Sequence, residues 1–350
     1  MGYIKFLVKK AIIYFSVLIA TITILYIFTY PVLQQILINN INNDVQQYQA
    51  YLATHAKGLS QQEIVESIQK YKESLYEAYG VNQPILSQYF IQMKNLLTFN
   101  FGKSYFLTTP QGSSSVADII MAYLPNTILL FTTGTLLVIF AGTIIGLLAA
   151  RYSGSIWDKI LPPIAIIHNS IPTWWLGFVL IAALAYGVRI FPPGGMNSIP
   201  PPKDPLNYTL DVLYHLILPL ITFFIINVGG FAYVVRGLVL SVMKEDFTLT
   251  AKARGLPERR IIYRHVLRTA SPPIATQAIL AIAGSFAGGI VTEIVFLWPG
   301  VGLLTYLAVQ QQDLPVILAL AYVLTIVLLI GLFIGELIYG LLDPRTKVSE

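Results

Sequence analysis

The residue types that do chemistry are sparse in this sequence. Phe101-Gly102-Lys103-Ser104 ends like a phosphate-binding loop, in which backbone N–H groups and a lysine cradle phosphate oxygens. That pattern needs a glycine five positions before Gly102, where the chain has Leu97, so the loop is rejected. His55, His168, His215 and His265 are scattered, no H-E-x-x-H pair occurs, and there is no cysteine. Thiolate metal sites, disulfides and cysteine nucleophiles are excluded, and no metal-ligand set is legible. Gly284-Ser285 has no base beside it, so the small pair reads as a helix-packing device. No catalytic residue emerges.

Three other clusters stand out. His168, Asn169, Ser170, Pro172 and Trp174 interrupt an apolar stretch. Polar groups in such a place face a bundle interior or a cavity rather than lipid, so these residues are expected to line or gate a passage. Glu293 follows Thr292 and precedes Pro299-Gly300. A carboxylate near the end of a membrane run must be hydrogen-bonded, wet or protonated, and a structural or gating role is expected. The third cluster is Met243–Pro273. Lys244 to Arg254 reads as a helix, stopped by Gly255-Leu256-Pro257. Glu258 then suits the first turn of a second helix. Arg259, Arg260, Arg264 and Arg268 follow, and Pro272-Pro273 is expected to end the loop. Two short helices meeting at a glycine make a rigid knuckle. The competing reading is a basic loop on anionic lipid headgroups.

The elements that position these clusters follow from composition. The chain has 350 residues, 55% hydrophobic and 11% charged, against about 25% charged in an average soluble domain. Mean hydropathy is +0.68. A soluble enzyme, a nucleic-acid binder and a disordered scaffold are all disfavoured. Six uncharged runs are long enough to cross a membrane core of about 30 Å: Ala11–Tyr30, Asn126–Ala150, Ile160–Val188, Val212–Val235, Thr269–Thr292 and Leu314–Gly335. The expected fold is all-α with six transmembrane helices. Pro162, Pro163 and Pro172 make a break in the third run plausible on physical grounds. The first run ends without an A-x-A site and is expected to remain as a span.

Lys and Arg set the orientation. Segments 1–10, 151–159, 236–268 and 343–350 hold 15 of them, whereas the short loops 189–211 and 299–313 hold 2. Both termini and the knuckle are therefore expected in the cytoplasm, with 31–125 outside. The divisions are 1–30, a helical extracytoplasmic insertion at 31–125, a five-helix core at 126–342 that includes 243–273, and a tail at 343–350. Within the insertion, Ser60-Gln61-Gln62-Glu63 reads as a capping box and Gly80 as a C-cap. Pro84 opens a second helix. Ser115-Val116-Ala117-Asp118 caps a third, expected to end at Leu124-Pro125. The insertion is expected to pack as a lid on the outer mouth.

The knuckle resembles the EAA loop of permease subunits in ABC importers. Leu249-Thr250-Ala251 stand at the E-A-A positions, Gly255 at the glycine, and His265-Val266-Leu267-Arg268 at I-x-L-P. Asp246-Phe247, Thr250–Leu256 and Glu258-Arg259-Arg260 are closer still to the version in the peptide/nickel class. Gln83-Pro84, Gln88-Tyr89, Phe101–Ser104, Leu124–Thr127, Ser170–Trp174, His215–Pro219, Thr292-Glu293 with Phe296, Pro299-Gly300 and Gly302, and Asp343-Pro344-Arg345 resemble the B-type permease of oligopeptide and dipeptide importers. The resemblance implies a second, homologous C-type permease, two cytoplasmic ATPases that carry ATP and Mg, an extracytoplasmic binding protein, and membrane lipid around the bundle. This chain itself would bind no ATP and no nucleic acid. The resemblance also implies that Thr250, Ala251, Ala253, Arg254, Gly255, Leu256, Glu258 and Arg259 couple to an ATPase, with Ala251 and Ala253 as small docking surfaces. The cargo is a peptide, an oligosaccharide or nickel. An ion-coupled secondary transporter using Glu293, Glu336 or His168 is the alternative from another class, and a membrane hydrolase near Ser170 or His168 is a third. The charge contrast predicts that a tag at Ser113 is labelled in intact cells and one at Glu350 is protected; the opposite pattern overturns the topology.

Overall fold

The computed structural model of the chain describes residues 2–55 and 60–342. Asp343-Pro344-Arg345 and the rest of the tail lie outside the described residues. The described residues form helices and loops, with an isolated antiparallel bridge between Lys103 and Ser115.

Helix α1 (Gly2–His55) does not stop at Tyr30 but runs for 54 residues with Pro31 inside it. At 1.5 Å per residue it reaches about 80 Å, far beyond a membrane core of about 30 Å. A proline removes one backbone hydrogen bond, and packing on both sides of it holds the helix together. Below Pro31, Leu18 and Ile22 are buried with Met93, Leu96 and Tyr322. Above it, Leu37, Ile41, Val45 and Leu52 continue a buried stripe. Helix α2 (Gln61–Ala78) packs back on this outer half, with Tyr48 and Tyr71 ring centroids 4.3 Å apart. Its capping box forms as expected. The Ser60 N–H donates to Glu63 Oε2 at 2.7 Å, and the Glu63 N–H donates to Ser60 Oγ at 3.3 Å. The Ser60 donors hold the Glu63 carboxyl below the usual carboxylate range. Gly80 follows in the left-handed region, and α3 (Ile85–Leu97) starts after Pro84. Gln34 Nε2 donates to Gln88 Oε1 at 2.9 Å and ties α3 to α1.

Helix α4 (Val116–Thr127) is capped by Ser115 but does not end at Pro125. A π-helical turn, Ile128–Thr132, carries it into α5 (Thr133–Arg151), so Val116–Arg151 is one helix of 36 residues. Burial on both sides of the proline again overrides it: Val116, Ile119 and Ile120 lie in one apolar cluster, Leu130 and Phe131 in another. Helix α6 (Ile156–Ser170) and α7 (Thr173–Leu180), extended by a π-helical segment Ile181–Gly187, form a pair bent by 90°. The break falls at Ile171-Pro172. The residue before a proline is driven out of the helical region, and Ile171 has ψ 121°. Pro162 and Pro163 stay inside α6.

Helix α8 (Pro205–Met243) is capped by Lys244, and Glu245 is extended. The first arm of the knuckle is therefore shorter than Lys244–Arg254: it is α9 (Asp246–Ala253). Helix α10 (Glu258–Arg260), a π-helical segment Ile261–Val266 and α11 (Leu267–Ser285) follow. Pro272-Pro273 lies inside α11 instead of ending the loop, because Ile261, Ile262, Val266, Ala270 and Ile274 form one buried face against α8. The run Thr269–Thr292 is broken at residues 286–289, where Gly288 takes φ +68°. Beyond it lie α12 (Ile290–Val295), α13 (Val301–Gln310) and α14 (Leu314–Leu342). By length and composition, four helices among the described residues suffice to cross a membrane, or five if the bent pair is counted as one broken span.

The centre of the bundle is the contact of α5 with α8. Gly134, Gly142 and Gly146 face α8. A Cβ at Gly134 would meet the Phe223 ring at 2.7 Å, and one at Gly142 the Phe231 ring at 2.9 Å; at Gly146 it would collide with the Ala232 carbonyl. Overpacking a tight contact costs about 1–3 kcal/mol, and here backbone is the obstacle. Gly146→Leu is expected to lower the thermal midpoint of the purified protein in detergent by several degrees; an unchanged midpoint refutes the close contact.

Candidate functional site

Two sites are built on the α5–α8 pair. At one end stands the knuckle. Thr248 and Ala251 are its buried residues. Thr248 Oγ1 donates to the Val242 carbonyl at 3.1 Å, and Ala251 sits with Val242, Ile261 and Ile262 in an apolar cluster that Leu256 also joins. Gly255 ends α9 at φ +71°, with no atom within 4 Å of where a Cβ would stand. Facing away from the chain are Phe247, Leu249, Thr250, Ala253, Arg254, Glu258, Arg259 and Arg260. The small residues therefore divide. Ala253 is exposed, whereas Ala251 fastens the knuckle to the core.

Along the bundle, α5, the α6–α7 bend, α8, α11 and α12 enclose an open groove of about 570 Å³. Its polar lining comes from Thr135, Asn169, Thr173, Asn227, Ser285 and Thr292, set among Phe131, Phe223, Phe231 and several glycines. None of the lining residues is charged. Of the polar cluster around Pro172, Asn169 reaches this groove. His168 points into a different groove and packs on Gly229, its Nδ1 buried without a hydrogen-bond partner among the described residues. Ser170 Oγ donates to the Ile166 carbonyl of its own helix at 2.8 Å, and Trp174 packs edge-on against Phe178. Asn227 escapes a reading by sequence because it is a lone polar residue in an apolar run, and Thr135 and Ser285 because small hydroxyls beside glycine read as helix-packing residues. Among the described residues, no three His, Asp or Glu side chains come together.

Residues 142–348 match the family described as binding-protein-dependent transport system inner membrane component. The chain belongs to this family. It is accordingly a permease subunit of an ABC importer, in which ATP is hydrolysed on separate subunits. Among its relatives is the oligopeptide transport system permease protein AppB of Bacillus subtilis, 32% identical over 79% of this chain and 85% of the relative. The di/tripeptide transport system permease protein DppB of Pseudomonas aeruginosa is 31% identical over 80% of this chain and 85% of the relative. In structure, the chain is similar to a subunit of the MetNI methionine ABC transporter in an inward-facing form. The TM-score is 0.52 at 15% identity, covering 68% of this chain and all of that one, which establishes a shared fold.

In this permease the sequence motifs flanking Glu293 and Asn126 turn out to be two halves of one latch. Glu293 is fully buried. Its Oε1 accepts from Thr127 Oγ1 at 2.9 Å, and its Oε2 accepts from the Leu303 N–H at 3.0 Å. Thr127 Oγ1 in turn accepts from the Val301 N–H at 2.7 Å. Asn126 Nδ2 donates to the Pro299 carbonyl at 2.8 Å, and Trp298 Nε1 donates to the Asn126 carbonyl at 2.8 Å. Gly300 and Gly302 close over the carboxylate: a Cβ at Gly300 would stand 2.5 Å from it. Glu293, Pro299 and Gly300 thus fix the turn between α12 and α13 to α4, outside the groove lining. A second buried carboxylate, Asp313, accepts from Ser104 Oγ at 2.5 Å and from the Phe106 N–H at 3.1 Å, which gives Phe101–Ser104 a structural purpose. In Glu293→Gln an amide NH₂ replaces one acceptor, leaving a buried donor facing a donor at a cost of about 1–3 kcal/mol. The variant is expected to unfold at lower temperature than the unmodified permease, and Glu293→Ala at a lower temperature still. Equal midpoints for all three refute the latch.

Proposed function

We propose that this permease forms half of the translocation path of an ATP-driven peptide importer and couples it to one ATPase through residues 246–260. The observation that carries the reading is the knuckle itself: an exposed short helix and glycine turn, held by Thr248, Ala251 and Leu256 on the same apolar cluster as α5, α8 and α11. An element fastened in that way transmits displacement to the helices that wall the groove. In this reading a second, homologous C-type permease closes the groove, a second ATPase serves that partner, and a binding protein delivers cargo from outside. The 15-to-2 contrast of Lys and Arg supports cytoplasmic termini and a cytoplasmic knuckle. Helix α11, lined with α8 and α14, is the sixth span.

Peptide cargo is supported by what the relatives are named for and by the groove. Carboxamides and hydroxyls pair with backbone N–H and C=O groups, and an uncharged wall passes side chains of either sign. Oligosaccharides share the hydrogen-bonding chemistry, but no relative quoted above carries such a name. Nickel would require imidazole or carboxylate ligands, and the groove lining has neither. Of the groups that the ion-coupled alternative would use, both carboxylates have other duties, and His168 lies outside the path groove. Glu293 is latched, and Glu336 accepts from Lys10 Nζ and Tyr14 OH, each at 2.7 Å, joining α14 to α1.

The space around Gly255 is empty, so a substitution there acts through the backbone alone. A left-handed conformation costs an L-residue roughly 1–2 kcal/mol. Gly255→Val is expected to weaken ATPase retention by the purified complex and to reduce substrate-stimulated hydrolysis while leaving the thermal midpoint of the membrane bundle in place. If the loop merely rests on lipid, Gly255→Val does little and neutralising Arg259, Arg260 and Arg264 together does much. Full ATPase retention with undiminished transport in Gly255→Val overturns the coupling role.

A further inference from the structure

We propose that the outer flank of α6 carries a binding site for an anionic membrane phospholipid, with an acyl chain in an apolar groove and the phosphate at Arg151 and Lys159. The inference rests on the permease reading, because that reading gives the Asn169 side of α6 to the path and to the second permease. Asn169 and His168 are consecutive, so they leave α6 about 100° apart and reach different grooves on either side of the α6–α8 contact. Asn169 packs toward Gly230 and the path groove; His168 packs toward Gly229 and a second groove, of about 480 Å³, between α5, α6 and α8. In the proposed assembly the flank turned away from the path faces the bilayer.

The chemistry of the second groove fits one occupant. Leu148, Ile160, Ile164 and Val228 give it walls suited to a hydrocarbon chain and to neither a peptide backbone nor water. Tyr152 and Trp157 stand at one end, and rings of this kind settle at headgroup level. At that same end lie two cations. The Arg151 guanidinium lies over the Tyr152 ring, 5.0 Å from its centroid, and its Nε is buried with no hydrogen-bond partner among the described residues. Lys159 is exposed one residue before Ile160. Nearby Arg236, by contrast, is already paired with Asp158. A buried Nε–H donor without an acceptor is costly, and a phosphate oxygen beside the groove supplies the acceptor. The charge and the apolar walls together describe a phosphodiester with a chain attached.

Trp157 lines the groove and so reports on its contents. The assembled importer is reconstituted in phosphatidylcholine vesicles doped with either brominated phosphatidylglycerol or brominated phosphatidylcholine, since bromine quenches indole fluorescence. The Trp157→Phe variant supplies the background from the other tryptophans. Two cations near the headgroup favour the anionic lipid, so Trp157 is expected to be quenched at a mole fraction of phosphatidylglycerol on the order of tenfold lower than that of phosphatidylcholine. Arg151→Gln combined with Lys159→Gln is expected to abolish the difference. Equal quenching of the unmutated complex by both lipids overturns the proposal, because it describes an annulus without a site. Absence of quenching by either lipid overturns it too, because a protein surface then covers the groove. The lipid readout uses neither substrate nor ATP. Lost lipid preference with intact ATP coupling removes this inference alone, and lost coupling with intact preference removes the permease reading alone.

Discussion

The close approach of α5 to α8 is the constraint on which the rest of this permease depends. Three glycines on α5 allow it: a side chain would meet the Phe223 and Phe231 rings at two of them and the Ala232 carbonyl at the third. Without a hydrophobic driving force between helices in lipid, such backbone proximity and the dispersion contacts it permits are what holds a bundle together. Both sites inherit their geometry from this contact. At one end Leu147 and Ala150 of α5 meet Val235, Val239 and Val242 of α8, and that surface seats the knuckle. Further along, Thr135 of α5 and Asn227 of α8 face the groove from adjoining walls. Any change in the α5–α8 angle is therefore felt at both places.

Much of this architecture is legible in the sequence, and the parts that are not share a physical cause. The capping box at Ser60, the turn at Gly255 and the break at Pro172 follow from local chemistry, because each is decided by a side chain acting on its own backbone. Four prolines mislead instead. Pro31, Pro125 and the pair Pro272-Pro273 mark helix ends by local rules, and all lie inside helices. In each case residues on both sides are buried against other elements, and this packing outweighs the loss of a single backbone hydrogen bond.

The same division separates what could be read of the site. Residues of the knuckle are consecutive, so their types and order suffice to find them. The latch joins Asn126 and Thr127 to a segment more than 160 residues later, and nothing in either segment alone announces the other. Ala251 and Ala253 lie two positions apart on α9, and only the packing of α9 against Val242, Ile261 and Ile262 decides which of them is buried. His168 and Asn169 make the same point: adjacency in sequence puts them on different faces of one helix.

Helix α1 deserves a mechanical reading. Its N-terminal half is fastened to α14 by the Lys10–Glu336 ion pair, and its C-terminal half carries α2 as an antiparallel strut. Because it crosses Pro31 without a break, the apolar N-terminal half and the α1–α2 hairpin form one lever. A tilt of roughly ten degrees about the N-terminal end swings a tip about 80 Å away by about 14 Å. Small rearrangements of the bundle are thereby magnified at the far end, well clear of the bilayer.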